Sequence, residues 1–342
     1  MKDTAPKLIA DRLFPKGGLS SQTLSEKEFE SLTLQLFRFQ YENNKVYADY
    51  VNALDINVSG ITKITEIPYL PISFFKSHQV ICGDAEKPEQ IFQSSSTTSD
   101  IPSSHFVKDI SIYENSFRVG FKLFYGDISN YCLLALLPSY LERSNSSLVF
   151  MVDKLIKDTH NSGSGFYMSN YKELVDKIRL NEARGQRTLL IGVTYALLKL
   201  AEEYPMELRN TIIMETGGMK GRREELTKQE VHQVLSTAFK VEAIHSEYGM
   251  TELLSQAYSK EKGIFQCVPW MKVLIRDIYD PFHIGLVNET GAINIIDLAN
   301  IYSCAFIATD DIGIAFPNGS FEVAGRLDNT DIRGCNIMAA EL

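Results

Sequence analysis

The chain has 342 residues, of which 44% are hydrophobic and 23% charged, and it carries a formal net charge of −9 at pH 7. That length and apolar content suffice for a large core in two or so domains or subdomains. The negative balance argues against a nucleic-acid backbone or an anionic membrane surface as the main partner, though not against a nucleotide, which local groups would bind.

In chain order, Met1 to Ser25 reads as an irregular or loosely packed lead-in. Leu24 to Ala53 reads as helical, because Phe29, Leu32, Leu36, Phe39 and Tyr47 recur at helical intervals, and Ser25 with Glu28 fits a capping box at its start. The two prolines of Ile67-Pro68-Tyr69-Leu70-Pro71-Ile72 exclude a regular helix there. Gln79 to Cys82 is short and strand-like, and Phe106 to Phe124 is apolar and helix-like. Between them, Gln93 to Ser104 is dominated by serine and threonine, which fits a polar loop or linker. Hydroxyls and backbone N–H groups leading into a helix also make a phosphate cradle.

Tyr131 to Pro138 and Leu148 to Val152 are apolar runs expected to be buried strands, with a Gly/Ser turn at Asn161 to Gly165. Thr188 to Leu200 begins as a strand and continues as a helix. Thr211 to Met214 is a strand running into Glu215-Thr216-Gly217-Gly218. Thr227 to Phe239 is an amphipathic helix, and the strand-like Val241 to Ile244 leads to Tyr248-Gly249-Met250-Thr251-Glu252. Lys272 to Ile278, Gly291 to Asp297 and Ser303 to Thr309 read as strands, and Gly313 to Asn318 with Ser320 to Val323 as a hairpin. Alternating strands and helices followed by a strand-rich end predict an α/β core with a β-rich C-terminal part. No internal repeat is visible.

Five cysteines, Cys82, Cys132, Cys267, Cys304 and Cys335, are widely spaced, with no CxxC pair and no zinc-type Cys/His cluster. They read as reduced thiols of a cytoplasmic protein. Met1 to Ala10 lacks the long apolar stretch of a signal peptide, and no run is long and apolar enough for a transmembrane segment.

Four polar loops are expected after strand-like runs: Ser94–Ser99, Gly217–Gly218, Tyr248–Glu252 and Thr309–Gly313. Ligands of α/β sheets collect outside the carboxyl ends of strands. Within Tyr248–Glu252 a ring can stack on a base, a hydroxyl can bond a phosphate oxygen, and a carboxylate can hold Mg²⁺, which prefers hard oxygen ligands. Taken alone, these five residues fit a capped helix start better, with Thr251 near the cap and Glu252 in the first turn.

The order of these segments resembles that of the adenylate-forming enzymes. Ser95-Ser96-Thr97-Thr98-Ser99 resembles their phosphate loop, and Tyr248–Glu252 their adenine-and-magnesium motif. Thr309-Asp310-Asp311-Ile312-Gly313 resembles the motif whose aspartate holds the ribose, and Gly325-Arg326-Leu327-Asp328, continuing to Arg333-Gly334, the hinge motif. Ile67–Ile72 before Phe75-Lys76, with Gly217-Gly218-Met219-Lys220, is similar to the acyl-protein synthetase branch, which includes the fatty-acid ligase of bacterial luminescence and is related to phenylacetate-CoA ligases. The resemblance runs from about Leu24 to the last residues.

What the resemblance implies is an adenylate-forming core at residues 26–324 after a lead-in of 1–25, with a hinge-like motif and short tail at 325–342. The usual mobile C-terminal domain would be absent. ATP and Mg²⁺ would be used to turn a carboxylic, by analogy fatty, acid into an acyl-adenylate. Ser95, Thr97 and Thr98 would bind phosphates, Thr251 the α-phosphate and Glu252 the metal. Tyr248, Gly249 and Gly217–Gly218 would frame the adenine, and Asp311 and Arg326 would lie on the ribose side. The family accepts its acyl group on a cysteine near its own C-terminus, a position that Cys335 occupies, with Arg333 favouring the thiolate. An acyl reductase or a carrier protein would be the partner.

The chain departs from the family pattern at three places. Ser96 and Ser99 stand where glycines are usual, with an extra residue before Pro102 and Ser103-Ser104 in place of a lysine. The hinge motif is one residue short. The chain ends eight residues after Gly334. The alternatives are a ligase that uses coenzyme A or an acyl-carrier thiol, a small-molecule acyltransferase, and a non-catalytic binding subunit.

Overall fold

A computed structural model describes residues 4–15, 24–83, 88–94, 101–137, 145–168, 170–218 and 226–327. Most strands form one large sheet, whose order places the site, and Gln90–Gln93 pairs with Ser104–Val107 in a separate two-stranded sheet. From one edge, five strands run parallel to their neighbours: Gly165–Tyr167, Cys132–Leu136, Thr188–Gly192, Thr211–Glu215 and His245–Tyr248. Cys132–Leu136 and Thr188–Gly192 are buried at every residue, as strands covered by helices on both faces must be. At His245–Tyr248 the sheet changes character, because its other neighbour, Ala257–Ser259, runs antiparallel. Ile264–Cys267, Phe321–Arg326, Phe306–Ala315, Thr290–Asp297, Met271–Arg276 and Ile284–Leu286 continue the antiparallel part. The expected α/β core with a β-rich end is therefore present as one continuous sheet.

Several local expectations are corrected. The lead-in contains a helix, Thr4–Leu13, with Ile9 and Leu13 buried. The long helical stretch is two helices, Glu26–Asn43 and Lys45–Ala53, divided at Asn44. Ser25 caps the first by accepting from Glu28 N at 3.3 Å, but the Glu28 carboxylate turns away to Arg12, with which it pairs at 2.5 Å. Only half of the capping box forms. Leu148 to Val152 lies in a helix, Ser147–Asp158, capped by Ser146, and not in a strand. Gln79 to Cys82 and Val241 to Ile244 are not strands either. Phe106 belongs to the short strand Ser104–Val107, and the helix that follows begins at Ile110.

Side-chain amides from the first long helix clamp the C-terminal half. Gln40 Nε2 donates to the Asn300 and Ile301 carbonyls at 2.7 and 3.0 Å, and its Oε1 accepts from Ala305 N at 2.9 Å. Asn44 Nδ2 donates to the Ser303 carbonyl at 2.9 Å. Both amides are fully buried, so each bond satisfies a group that burial would otherwise penalise. They fix the loop from Leu298 to Cys304, which lies beneath the site. Among the described residues no helix is long and apolar enough to cross a membrane.

Candidate functional site

The Thr211–Glu215 and His245–Tyr248 strands lie side by side and parallel, with Glu215 opposite Ser246. Their carboxyl ends therefore release Gly217–Gly218 and Gly249–Glu252 on the same edge of the sheet. Gly217 and Gly218 take φ of 72° and 90°, the left-handed region that favours glycine. A Cβ on Gly217 would meet nothing within 4 Å among the described residues, so this face of the turn is open toward them. The Thr216 hydroxyl is buried without a hydrogen-bond partner among the described residues. An open glycine turn beside an orphaned hydroxyl suits a flat polar ligand such as a base.

Tyr248 closes the strand. Its ring packs edge-on to Phe321 at 5.5 Å and tilted to Phe265 at 5.8 Å, and its hydroxyl donates to Asp311 Oδ2 at 2.7 Å. Arg326, opposite Asp311 in the antiparallel ladder, donates through Nε to Oδ1 at 3.2 Å. Asp311 was expected on a loop. It lies instead inside the Phe306–Ala315 strand, where the two-residue period turns Asp310 to solvent and Asp311 inward. Burial pushes the Asp311 pKa up, and the Tyr248 hydroxyl and Arg326 pull it back toward the carboxylate form. A carboxylate offers about four acceptor positions. Two are taken here, which leaves capacity for a vicinal diol.

Thr251 and Glu252 follow within the same segment. Glu252 is 5% exposed. Burial raises its pKa, opposed by a hydrogen bond from Ser103, and it lies within electrostatic reach of Arg326 and Asp311. Its backbone carbonyl accepts from Asn300 Nδ2 at 2.8 Å. Asp297 holds the next turn by accepting from Leu254 N at 2.9 Å and Ser255 Oγ at 2.6 Å. No cluster of three or more metal-ligating side chains exists among the described residues. Glu252 alone fits Mg²⁺, which usually binds through one or two carboxylates and completes its shell with phosphate oxygens and water.

His105, at the start of the approach to this segment, is completely buried. Its Nδ1 lies 2.9 Å from the Thr251 carbonyl and its Nε2 2.9 Å from Ser303 Oγ. A carbonyl only accepts, so Nδ1 carries the proton and Nε2 accepts from the serine hydroxyl. Burial lowers the His105 pKa to about 4, against the favourable Thr251 carbonyl, and keeps the ring neutral. His105 therefore steadies the backbone of Thr251.

Of the residues singled out in the sequence, Gly217, Gly218, Tyr248, Gly249, Thr251, Glu252, Asp311 and Arg326 are described, and the strand ladder and hydrogen bonds gather them at one edge. Ser95, Thr97, Thr98 and Cys335 lie outside the described residues. Cys82, Cys132 and Cys304 are buried, and burial pushes the thiols of Cys267 and Cys304 up to about 12. Cys82 is pushed up by burial as well. The raised thiols of Cys82, Cys267 and Cys304 are poor sources of thiolate. The sequence reading did not foresee the supports: His105, Asp297, Asn300, and the Glu215 carboxylate with its partners Lys228 and His232. Only Glu215, a charged residue ending an apolar strand before two glycines, left a local signal.

Comparison with known proteins points the same way. The model of a family described as "Acyl-protein synthetase, LuxE" matches residues 9–342. The long-chain-fatty-acid–luciferin-component ligase of Aliivibrio fischeri is 25% identical over 340 residues, covering 92% of this chain and 88% of the relative. Its Vibrio harveyi counterpart is 23% identical, covering 94% and 90%. Among solved structures, an open conformation of 2-hydroxyisobutyryl-CoA ligase with 2-HIB-AMP and CoA aligns with a TM-score of 0.66 at 10% identity, over 90% of this chain and 72% of that one. ATP-bound MatB from Rhodopseudomonas palustris aligns with a TM-score of 0.54 at 16% identity, over 72% of this chain. The chain spans about half the length of MatB, 49%. At such identities these likenesses show the fold, which is that of the adenylate-forming ligases.

Proposed function

The chain belongs to the acyl-protein synthetase family, and from that premise we propose that it activates a fatty acid with ATP and passes the acyl group to a thiol, that of its own Cys335. The observation that carries this reading is the convergence of the Gly217–Gly218 turn, Tyr248–Glu252 and the Asp311–Arg326 pair at one sheet edge. The curated relatives are named as long-chain-fatty-acid ligases, which supports the substrate class, and their luciferin component supports delivery to an acyl reductase. A cytoplasmic location fits the reduced thiols. The core would span 26–324, with 325–342 as hinge and tail.

In the first step the acid's carboxylate oxygen attacks the α-phosphorus, the bond to the β-phosphate oxygen breaks, and pyrophosphate leaves with that bond's electrons. Ser95, Thr97 and Thr98 hold the phosphates, and the Thr251 hydroxyl the α-phosphate. Gly217–Gly218, Tyr248 and Gly249 seat the adenine, and Asp311 the ribose hydroxyls, with Arg326 beside it. Glu252 would hold Mg²⁺, which supplies charge neutralisation on the phosphates. Donors fixed before the reaction stabilise the charge that develops, at little reorganisation cost. In the second step the Cys335 thiolate attacks the acyl carbon of the mixed anhydride. A C–S bond forms, the C–O bond to AMP breaks, and AMP leaves as its anion. The raised pKa values of Cys267 and Cys304 support assigning this step to Cys335.

Carboxylate-dependent exchange of labelled pyrophosphate into ATP tests activation. Exchange is expected with fatty acids, and its absence with every acid of a broad panel refutes adenylation. Intact-protein mass after incubation with ATP and labelled acid tests transfer. Wild type is expected to gain one hydroxylamine-sensitive acyl group and Cys335→Ser none. A Cys335→Ser chain that still carries the adduct rules Cys335 out, and acylation of added coenzyme A or carrier protein instead would favour an external thiol.

A further inference from the structure

Beneath the Gly217–Gly218 turn lies a buried ionic cluster to which the proposed reaction assigns nothing. Glu215, the last residue of its strand, is 2% exposed. Its Oε2 accepts from the Gly217 backbone N at 2.7 Å and from Thr194 Oγ at 3.1 Å. Its Oε1 accepts from Lys228 Nζ at 2.7 Å, and His232 Nε2 stands 3.7 Å away. His232 Nε2 is also 3.2 Å from Ser246 Oγ on the neighbouring strand. Burial alone would raise the Glu215 pKa, but His232, Lys228 and Ser246 more than offset it and hold the carboxyl below the ordinary range. The group is therefore an ion, with each oxygen committed to a different element.

The turn is tied at two further points. Thr194 N donates to the Gly217 carbonyl at 3.0 Å, and Thr216 N to the Gly192 carbonyl at 3.1 Å. Without the carboxylate the Gly217 N–H would lose its acceptor, and two glycines in succession have the widest choice of other conformations. Lys228 reaches further. Its Nζ lies 5.0 Å over the Phe265 ring, which stacks on Phe321 at 5.3 Å and meets Tyr248. One ammonium thus touches the support of the glycine turn and the aromatic box behind Tyr248.

We propose that Glu215 and Lys228 are positioning residues of the nucleotide site: the carboxylate, bridged to Gly217 N–H on one side and to Lys228 on the other, sets the Gly217–Gly218 turn and its separation from Tyr248, and so determines fit to the adenine base. This rests on the reading of that turn as the adenine seat. Neither side chain touches the nucleotide. Both act through the backbone that does. The role is specific to ATP and leaves the acid's own site alone.

The test uses the full chain and Lys228→Met, Lys228→Arg and Thr194→Val. Lys228 is 29% exposed, so its replacement is tolerable for folding. Thr194→Val, which removes one hydrogen bond from Glu215, is the second variant should the first not fold. ATP and GTP binding are read by equilibrium dialysis, and KM for ATP and for the acid by pyrophosphate exchange. Lys228→Met is expected to weaken ATP roughly tenfold, to narrow the preference for ATP over GTP, and to leave the acid KM unchanged. Lys228→Arg restores most of the loss, and Thr194→Val shifts ATP in the same direction by less. Unchanged ATP binding in a folded Lys228→Met or Thr194→Val protein overturns the proposal, as does an equal loss for ATP and acid. If wild type itself neither binds ATP nor exchanges pyrophosphate, the reading of the site fails and this proposal with it. Wild-type exchange with unaffected variants removes this proposal alone.

Discussion

Replacing His105 by asparagine would remove a titrating group from the centre of the protein. In the folded chain burial holds the imidazole pKa at about 4, whereas the free side chain titrates near 6.5. Above 6.5 both states are neutral, and the contribution is complete. As pH falls from 6.5 toward 4, the unfolded histidine takes up a proton that the folded one refuses, so stability is lost across that window. At about 1.4 kcal/mol per pH unit the loss is about 3 kcal/mol. The ring is fully buried, so solvent does not screen this value. His105→Asn cannot titrate and carries none of it, though it costs about 1–3 kcal/mol at every pH through the bonds and volume it gives up. Urea unfolding of both proteins at about pH 7 and about pH 4.5 measures the difference, in which the remaining carboxylates and histidines cancel. Wild type should lead at neutral pH, and its lead should shrink by about 2–3 kcal/mol, or reverse, in acid. A lead that stays constant across the window refutes the buried neutral imidazole.

Two glycines give sharper steric expectations. A Cβ on Gly313 would sit 2.2 Å from the Glu322 carbonyl and 2.8 Å from Ile293 Cδ1, at the bulge between its strand and Phe321–Arg326. Backbone cannot yield there without opening the ladder that carries Asp311, so Gly313→Ala should cost about 3 kcal/mol or more. A urea midpoint equal to wild type would contradict this. At Gly249 the added methyl would fall 2.5 Å from Glu247 Oε1, a carboxyl whose pKa burial and the nearby Glu215 push up to about 8. Gly249→Ala should be partly rescued by Glu247→Ala, with a coupling of about 1 kcal/mol. Strictly additive costs would show that the two do not collide.

The parts of this protein legible in its sequence are those whose meaning is local. Tyr248–Glu252 stands out because five adjacent residues carry a ring, a hydroxyl and a carboxylate, and the apolar residues before it point to a strand, which forms at His245–Tyr248. The buried strands at Cys132–Leu136 and Thr188–Gly192 are readable because nothing polar interrupts them. Leu148–Val152 failed because five apolar residues fit a strand and a buried helix equally, and only the cap at Ser146 distinguishes them. Thr4–Leu13 was obscured by Pro6, which a helix tolerates in its first turn. The Asp310–Asp311 pair suggested a loop, yet a strand accommodates it by sending one aspartate each way. The supports lie beyond local reading altogether: His105 and Thr251 are 146 residues apart, and Ser255 and its acceptor Asp297 are 42 apart. Nothing in either neighbourhood names the other.

The Gln40 clamp bears on how the protein comes into being. Its amide meets the Asn300 carbonyl across 260 residues, and that same loop supplies Ser303 to His105 and Asn300 to Glu252. During synthesis the helix that carries Gln40 emerges early and waits for its acceptors until most of the chain has been made. Contacts of such separation bear the full entropy of loop closure before they contribute anything. This edge of the sheet is thus among the last regions able to consolidate, and the nascent chain carries a buried-type amide and an uncovered apolar helix face through most of translation. Assembly of this site is a late event that begins at the N-terminus, far in sequence from the residues that define it.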